Sequence, residues 1–260
     1  LDRKEINLSK KIILRDYVSD AKPKILINAC AYTDVDAAES NPDEAYELNS
    51  EFPGFLSEIS KKVDCLLVHY SSDYVFDGKK STPYNEKDNC LPLSIYGSSK
   101  LKGEINILES GCRNLILRTS WVYSPYRKNF LLTILNLATK QDQLRIINDQ
   151  IGCPTSCSLI ADITEKMLLK NNQLESGLYH LSSSGKTSWY GFSKEIIRIA
   201  KSIGLKLIIS ERDIIPIETN QYPTEAERPK NSVLDCSKMT NSLDVEFLTW
   251  QSYLEEVVKE

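Results

Sequence analysis

Tyr96-Gly97-Ser98-Ser99-Lys100 sets a phenol and an ammonium four residues apart. On a helix that spacing puts both side chains on one face. A free phenol has a pKa of about 10, too high for ready proton exchange near neutral pH. A positive charge nearby favours the phenolate and lowers that value, which suits the group to general acid work. Tyr and Lys are common surface residues, so the pair gains its meaning from what precedes it. There Ser71 and Ser72 follow the apolar run Cys65 to Tyr70, with Asp73-Tyr74-Val75-Phe76-Asp77-Gly78 behind them. A hydroxyl at that place can donate to a substrate carbonyl while Tyr96 protonates the same oxygen. Ser72, Tyr96 and Lys100 together suit carbonyl–alcohol interconversion, with a nicotinamide carrying the hydride. Taken alone, Ser71 and Ser72 read as turn residues.

These groups need a scaffold, and the pattern supplies one. Lys24 to Ala29, Asp64 to Tyr70 and Asn114 to Thr119 read as strands buried on both faces of a parallel sheet. Helices are expected over Pro42 to Lys62 and Tyr96 to Glu109, giving strand–helix alternation through the first half. Open α/β sheets place ligands at the C-terminal ends of their strands, where Ser71 and Ser72 fall. Gly177 to Leu181 reads as a further short strand, and Leu207 to Ser210 as a small one. Trp189 to Ile203 reads as an amphipathic helix stopped by Gly204, and Ser237 to Leu243 and Trp250 to Glu260 also look helical. The Pro-rich Tyr222 to Pro229 stretch reads as a loop suited to lining a pocket.

Composition excludes several classes. A net charge of -4, from 32 Lys and Arg against 36 Asp and Glu, gives no general attraction to nucleic acid or to acidic membranes. No apolar run is long enough to span a bilayer, and no signal peptide opens the chain. Seven cysteines at irregular spacing suit the reducing cytoplasm better than a disulfide framework. Cys153 and Cys157 have no second pair or nearby His to complete a metal site, so no metal is expected. His69 and His180 lie in apolar strands and read as core histidines.

In these residues and the blocks around them the chain resembles the dTDP-4-dehydrorhamnose reductases of the extended short-chain dehydrogenase/reductase superfamily. The matching blocks are Asn28 to Asp36, His69 to Phe76, Tyr96 to Lys100, Arg118 to Tyr123, Ile147 to Thr155, and Tyr222-Pro223-Thr224 through Arg228 to Ser232. The resemblance implies an α/β fold: a doubly wound, Rossmann-like parallel sheet over residues 1–125, to which 158–182 returns. A smaller substrate domain would occupy most of 126–260. It implies that NADPH or NADH reduces the 4-keto group of a dTDP-sugar, giving dTDP-L-rhamnose. Tyr96 would be the acid, Lys100 would lower its pKa and hold the cofactor ribose, and Ser72 would hold the carbonyl oxygen. Ala31, Tyr32 and Thr33 would contact the cofactor, and Asn7 and Leu8 would flank its adenine. Asp2 would suit the ribose hydroxyls of NAD and Arg3 the phosphate of NADP, so both reductants stay open. Val35, Ser72, Asp73 and Tyr74 would line the sugar pocket. Trp121 would pack on the deoxysugar methyl group, and Arg228 and Lys230 would meet the diphosphate.

The sequence also departs from the family pattern. No glycine-rich pyrophosphate turn is present, the first of ten glycines being Gly54. In the family roughly thirty further residues would precede Leu1, the size of one strand–helix–strand unit. The expectation is an N-terminally incomplete reductase whose 260 residues alone bind the dinucleotide weakly. Ser158 stands where some relatives carry an acid that shares magnesium across a dimer, and a hydroxyl is a poor magnesium ligand. A homodimer therefore stays open as a partner, without a bridging metal. Two alternatives also stay open. One is another nucleotide-sugar reductase or an epimerase. The other is a non-catalytic subunit like the regulatory subunit of methionine adenosyltransferase, which shares Ser71 to Gly78 and Leu234 to Lys238.

Overall fold

The computed structural model describes residues 11–259. The N-terminal half alternates α1 (Lys11–Ala21), β1 (Ile25–Asn28), α2 (Val35–Ser40), α3 (Pro42–Tyr46), α4 (Phe52–Val63), β2 (Leu66–Ser72), α5 (Ile95–Ser110) and β3 (Asn114–Thr119). Then come β4 (Val122–Tyr123), α6 (Phe130–Ala138), β5 (Leu144–Ile147), β6 (Ile151–Gly152), β7 (Thr155–Ser156) and α7 (Cys157–Leu169). The chain closes with β8 (Gly177–His180), β9 (Thr187–Ser188), α8 (Trp189–Ser202), β10 (Ile214–Ile217), α9 (Ser237–Leu243) and α10 (Trp250–Lys259).

A four-stranded parallel sheet in the order β1-β2-β3-β8 forms the centre. Successive strand residues point to opposite faces, and both faces are apolar. Leu66, Val68, Leu115 and Leu117 meet Leu159, Ile163 and Met167 of α7 and Met239 and Leu243 of α9. Leu67 and Ile116 point the other way, toward Leu14 of α1, Leu56 of α4 and Ile107 of α5. Helices on both faces make the sheet doubly wound. A second core gathers Leu131 and Ile134 of α6, Phe192 and Ile196 of α8, and Leu254 of α10 around Tyr123 and Leu144.

Two expectations change. Leu207 to Ser210 is not a strand; the strand comes later, as β10, which pairs in parallel with β5. Pro216 inside β10 hides it from a propensity reading, yet proline is tolerated there because β10 is an edge in a sheet of two. The helix expected over Pro42 to Lys62 is broken into α3, a π-helical segment at Glu47–Glu51, and α4. Such π segments often mark functional places, and this one presents Asn49 to the site.

Candidate active site

Helix α5 carries the Tyr/Lys pair and is fixed at both its start and its side. The Ser94 hydroxyl accepts the Gly97 amide at 3.1 Å, satisfying a donor left open by the first turn. A Cβ at position 97 would lie 2.2 Å from the Tyr74 carbonyl oxygen, and one at position 103 would lie 2.0 Å from that of Asn49. Only glycine allows so close an approach, so these two residues seat the helix against the turn after β2 and against the π segment.

At the C-terminal end of β2 the expected groups converge. Lys100 Nζ donates to the Tyr70 carbonyl oxygen at 2.5 Å. The Ser72 hydroxyl donates to Asp73 Oδ1 at 3.1 Å and lies within reach of the Tyr96 phenol. It also accepts the Tyr74 amide, capping the 3₁₀ turn Asp73–Val75. The Tyr74 ring meets the Tyr96 ring edge-on, with centroids 5.6 Å apart. Ser71 is engaged elsewhere: its hydroxyl donates to Glu104 Oε1 at 2.5 Å. Of the two serines, Ser72 is the one left facing Tyr96.

The electrostatics differ from the expectation that Lys100 lowers the Tyr96 pKa. Tyr96 is half-buried as a residue, yet enough protein surrounds the phenol that burial pushes it up to about 12. The Ser72 hydroxyl pulls the value down and the Asp73 carboxylate pushes it up. Lys100 is not among the groups that move it, because the ammonium is turned onto the Tyr70 carbonyl. Burial brings Lys100 itself down to about 8, while Glu104 raises it. Burial also pushes Asp73 up to about 7 against hydrogen bonds from Ser72 and the nearby Ser232, and its Oδ2 has no hydrogen-bond partner.

The other expected residues fall around this centre. Ala31, Tyr32 and Thr33 follow β1. The Tyr32 amide donates to Asn49 Oδ1 at 2.9 Å, and Asn49 Nδ2 donates to the Tyr32 carbonyl at 3.0 Å and to Ser99. Asn49, which sequence reasoning missed, thereby ties this loop to α5. An asparagine within a helical stretch gave no signal of it. Val35 opens α2 beside the N-cap Asp34. Trp121 adopts a left-handed φ of 46° and stacks on Trp189, with ring centroids 3.5 Å apart and 6° between planes. Arg228 does not stand free for a diphosphate. Its Nη1 and Nη2 hold the two Asp36 carboxylate oxygens at 3.0 and 2.6 Å, and Nη1 also donates to the Ala226 carbonyl. Lys230 is exposed and pairs with Asp149 at 3.7 Å. Asp2, Arg3, Asn7 and Leu8 lie outside the described residues. An open hollow of about 1060 Å³ along Asp244–Phe247 and Ser183–Lys186 contains none of Ser72, Tyr96 and Lys100. Among the described residues, no cluster of three or more His, Cys, Asp or Glu could hold a metal ion. No helix among them is long and apolar enough to cross a membrane.

A family model described as the RmlD substrate binding domain matches residues 1–260. A dTDP-4-dehydrorhamnose reductase of Burkholderia thailandensis is 41% identical over 257 residues, covering 96% of this chain and 86% of that protein. The chain belongs to the dTDP-4-dehydrorhamnose reductase family. The family's reductase from Escherichia coli K12 is 37% identical over 245 residues, covering 94% of this chain and 81% of that one. The crystal structure of a family member from Bacillus anthracis, in complex with NADP, matches with a TM-score of 0.91 at 31% identity. That match covers 99% of this chain and 88% of the other.

Proposed function

We propose that the protein reduces the 4-keto group of dTDP-4-dehydro-L-rhamnose to give dTDP-L-rhamnose, with NADPH or NADH as reductant. The observation that carries this reading is the convergence of Ser72, Tyr96 and Lys100 at the end of β2 in a chain of this family. The donor set fits a nicotinamide ribose. An ammonium has three N–H donors, and the Tyr70 carbonyl takes one of those on Lys100, leaving others for ribose hydroxyls. When bound, the nicotinamide supplies the hydride.

The side chains do the rest. Ser72 has a single O–H, which turns from Asp73 Oδ1 to the keto oxygen and orients it. Tyr96, raised to about 12, keeps its proton at neutral pH, which is the state an acid needs. It gives that proton to the oxygen as negative charge develops there. The Lys100 ammonium, turned onto the Tyr70 carbonyl rather than onto the phenol, is assigned to the nicotinamide ribose. Val35, Asp73, Tyr74 and Trp121 are assigned to the sugar pocket. Arg228 keeps two of its five N–H donors after its bonds to Asp36 and Ala226, with the Tyr74 phenol also within reach, and a diphosphate would draw on what remains.

Replacing Tyr96 with Phe removes the acid and keeps the ring. Substrate-dependent oxidation of NADPH, followed by absorbance, is expected to slow about 10²- to 10⁴-fold. Near-normal turnover by Tyr96→Phe would overturn the assignment.

A further inference from the structure

Behind the Tyr/Lys pair lies a buried acid–base pair that the reduction itself does not call for. Glu104 on α5 and Arg118 on β3 are 1% and 2% exposed. Arg118 Nε donates to Glu104 Oε1 at 2.9 Å and Nη2 to Oε2 at 2.6 Å, the two-pronged geometry that holds a carboxylate best. The Ser71 hydroxyl adds a second donor to Oε1. Arg118 Nη2 also donates to Cys90 Sγ at 3.2 Å, and the guanidinium lies over the Phe76 ring at 5.1 Å. On its far side stands His180, which burial and Arg118 bring down to about 3, so it is neutral. His180 Nδ1 lies 3.0 Å from the Tyr84 carbonyl oxygen, a pure acceptor, so Nδ1 carries the proton. Nε2 then offers its lone pair to Arg118 Nη1 at 3.5 Å. One network thus joins α5 to β2, β3 and β8.

Its position relative to the reacting groups is specific. Tyr96, Lys100 and Glu104 recur every four residues along one face of α5, and Ser71 immediately precedes Ser72. We propose that Glu104 is a positioning residue for the reduction: gripped by Ser71 and Arg118, it fixes how α5 presents Tyr96 and Lys100 to Ser72 and supplies the counter-charge that keeps buried Lys100 an ammonium. The inference rests on the reductase reading above.

Lys100 is 2% exposed, and burial works against its charge. Glu104 opposes that loss from one turn further along the helix. The other titratable groups around Lys100 are Tyr96 on its own helix, His69 on β2, Arg118 on β3 and Asp73 on the following turn. His69 is held neutral by burial and by Lys100 itself. Arg118 already faces Glu104. Tyr96 keeps its proton, and Asp73 bears on Tyr96 rather than on Lys100. Glu104 is therefore the group whose removal Lys100 should register.

The test compares Glu104→Gln, Glu104→Asp and the double variant Glu104→Gln/Arg118→Gln, which leaves no orphaned charge if the single change fails to fold. Two readouts are taken: the pH dependence of kcat/KM, and the Lys100 side-chain titration by NMR, assigned with Lys100→Arg. Activity falls at high pH as Lys100 loses its proton. In Glu104→Gln this alkaline limb and the NMR titration are expected to move down by about one to two pH units, and in the double variant by less, because the lost Arg118 cation partly offsets the lost carboxylate. That is the size expected of a unit charge about 6 Å away at an effective dielectric constant of about 20. At the wild-type midpoint kcat/KM would then fall about 5- to 50-fold. Glu104→Asp keeps the charge and should leave the limb nearly in place. Folded Gln variants with both the limb and the titration at wild-type values would overturn the proposal. A wild-type enzyme that reduces no keto-sugar, but whose Lys100 titration still moves with Glu104, would overturn the reductase reading and leave the Glu104–Lys100 link standing.

Discussion

Two of the pairs in which an arginine grips a carboxylate with both prongs, Glu104–Arg118 and Asp36–Arg228, share a shortest N–O distance of 2.6 Å. Glu104 and Arg118 are 1% and 2% exposed, whereas Asp36 and Arg228 are 40% and 17% exposed. Contact geometry is shared, and the solvent is not. Taking two charges fully out of water has a large desolvation cost, which mutual attraction and added hydrogen bonds only about offset. The inner pair therefore contributes a fixed arrangement more than net stability. The outer pair remains partly hydrated and screened, so it tethers the Tyr222–Pro229 loop to α2 without demanding one arrangement. Arg228 holds the Asp36 carboxyl below its ordinary range through its hydrogen bonds, so the tether persists through neutral pH.

Removing one cation from each pair should separate them most widely. Arg118→Ala leaves the Glu104 charge buried without its cation and is expected to lose about 3–5 kcal/mol in chemical denaturation. Arg228→Ala should lose about 1 kcal/mol or less. Equal losses would mean that burial is not what distinguishes the pairs.

Asp73 sharpens the contrast as a buried carboxylate with no guanidinium. In the folded protein it holds its proton up to about pH 7, against an ordinary 3.8. The folded state thus binds the extra proton between those values, and wild-type stability falls relative to Asp73→Asn as pH rises from about 4 to about 7. At about 1.4 kcal/mol per unit the upper limit is about 4 kcal/mol. Paired thermal melts across that range would show it, and a difference that stays constant with pH would refute it. The smallest effect is that of salt. At 1 M the Debye length is about 3 Å, so the stability difference between Arg228→Ala and wild type should vanish while that of Arg118→Ala persists.

The same contrast explains what could be read in advance. Tyr96 and Lys100 were legible because helical spacing alone joins them, and the strands because two-sided burial leaves unbroken apolar runs. Glu104 was within reach, since it repeats the four-residue step from Lys100, but a carboxylate on a helix usually faces water. Its partners Ser71 and Arg118, and Cys90 and His180 that hold Arg118 in turn, come from separate elements, and no local pattern announces them. Asp36 and Arg228 are 192 residues apart, so sequence showed two charges and not a pair. Arg228 was accordingly assigned to phosphate alone. Pro216 hides strand β10, because its missing N–H argues against strands except at an edge.

The place of β8 in the sheet has a consequence for the making of the protein. Its partner β3 ends at Thr119, and β8 begins at Gly177. A ribosome adding about 5–20 residues per second needs several seconds to span that interval of about 60 residues. Throughout it the outer edge of β3 has no strand to pair with, and Arg118 has no His180 behind it. The guanidinium enters the nascent fold wet and is sealed only when β8 arrives. Dehydration of the inner pair is thus a late event in biogenesis, and the helix that carries the acid is locked in place only after α6 and α7 have been made.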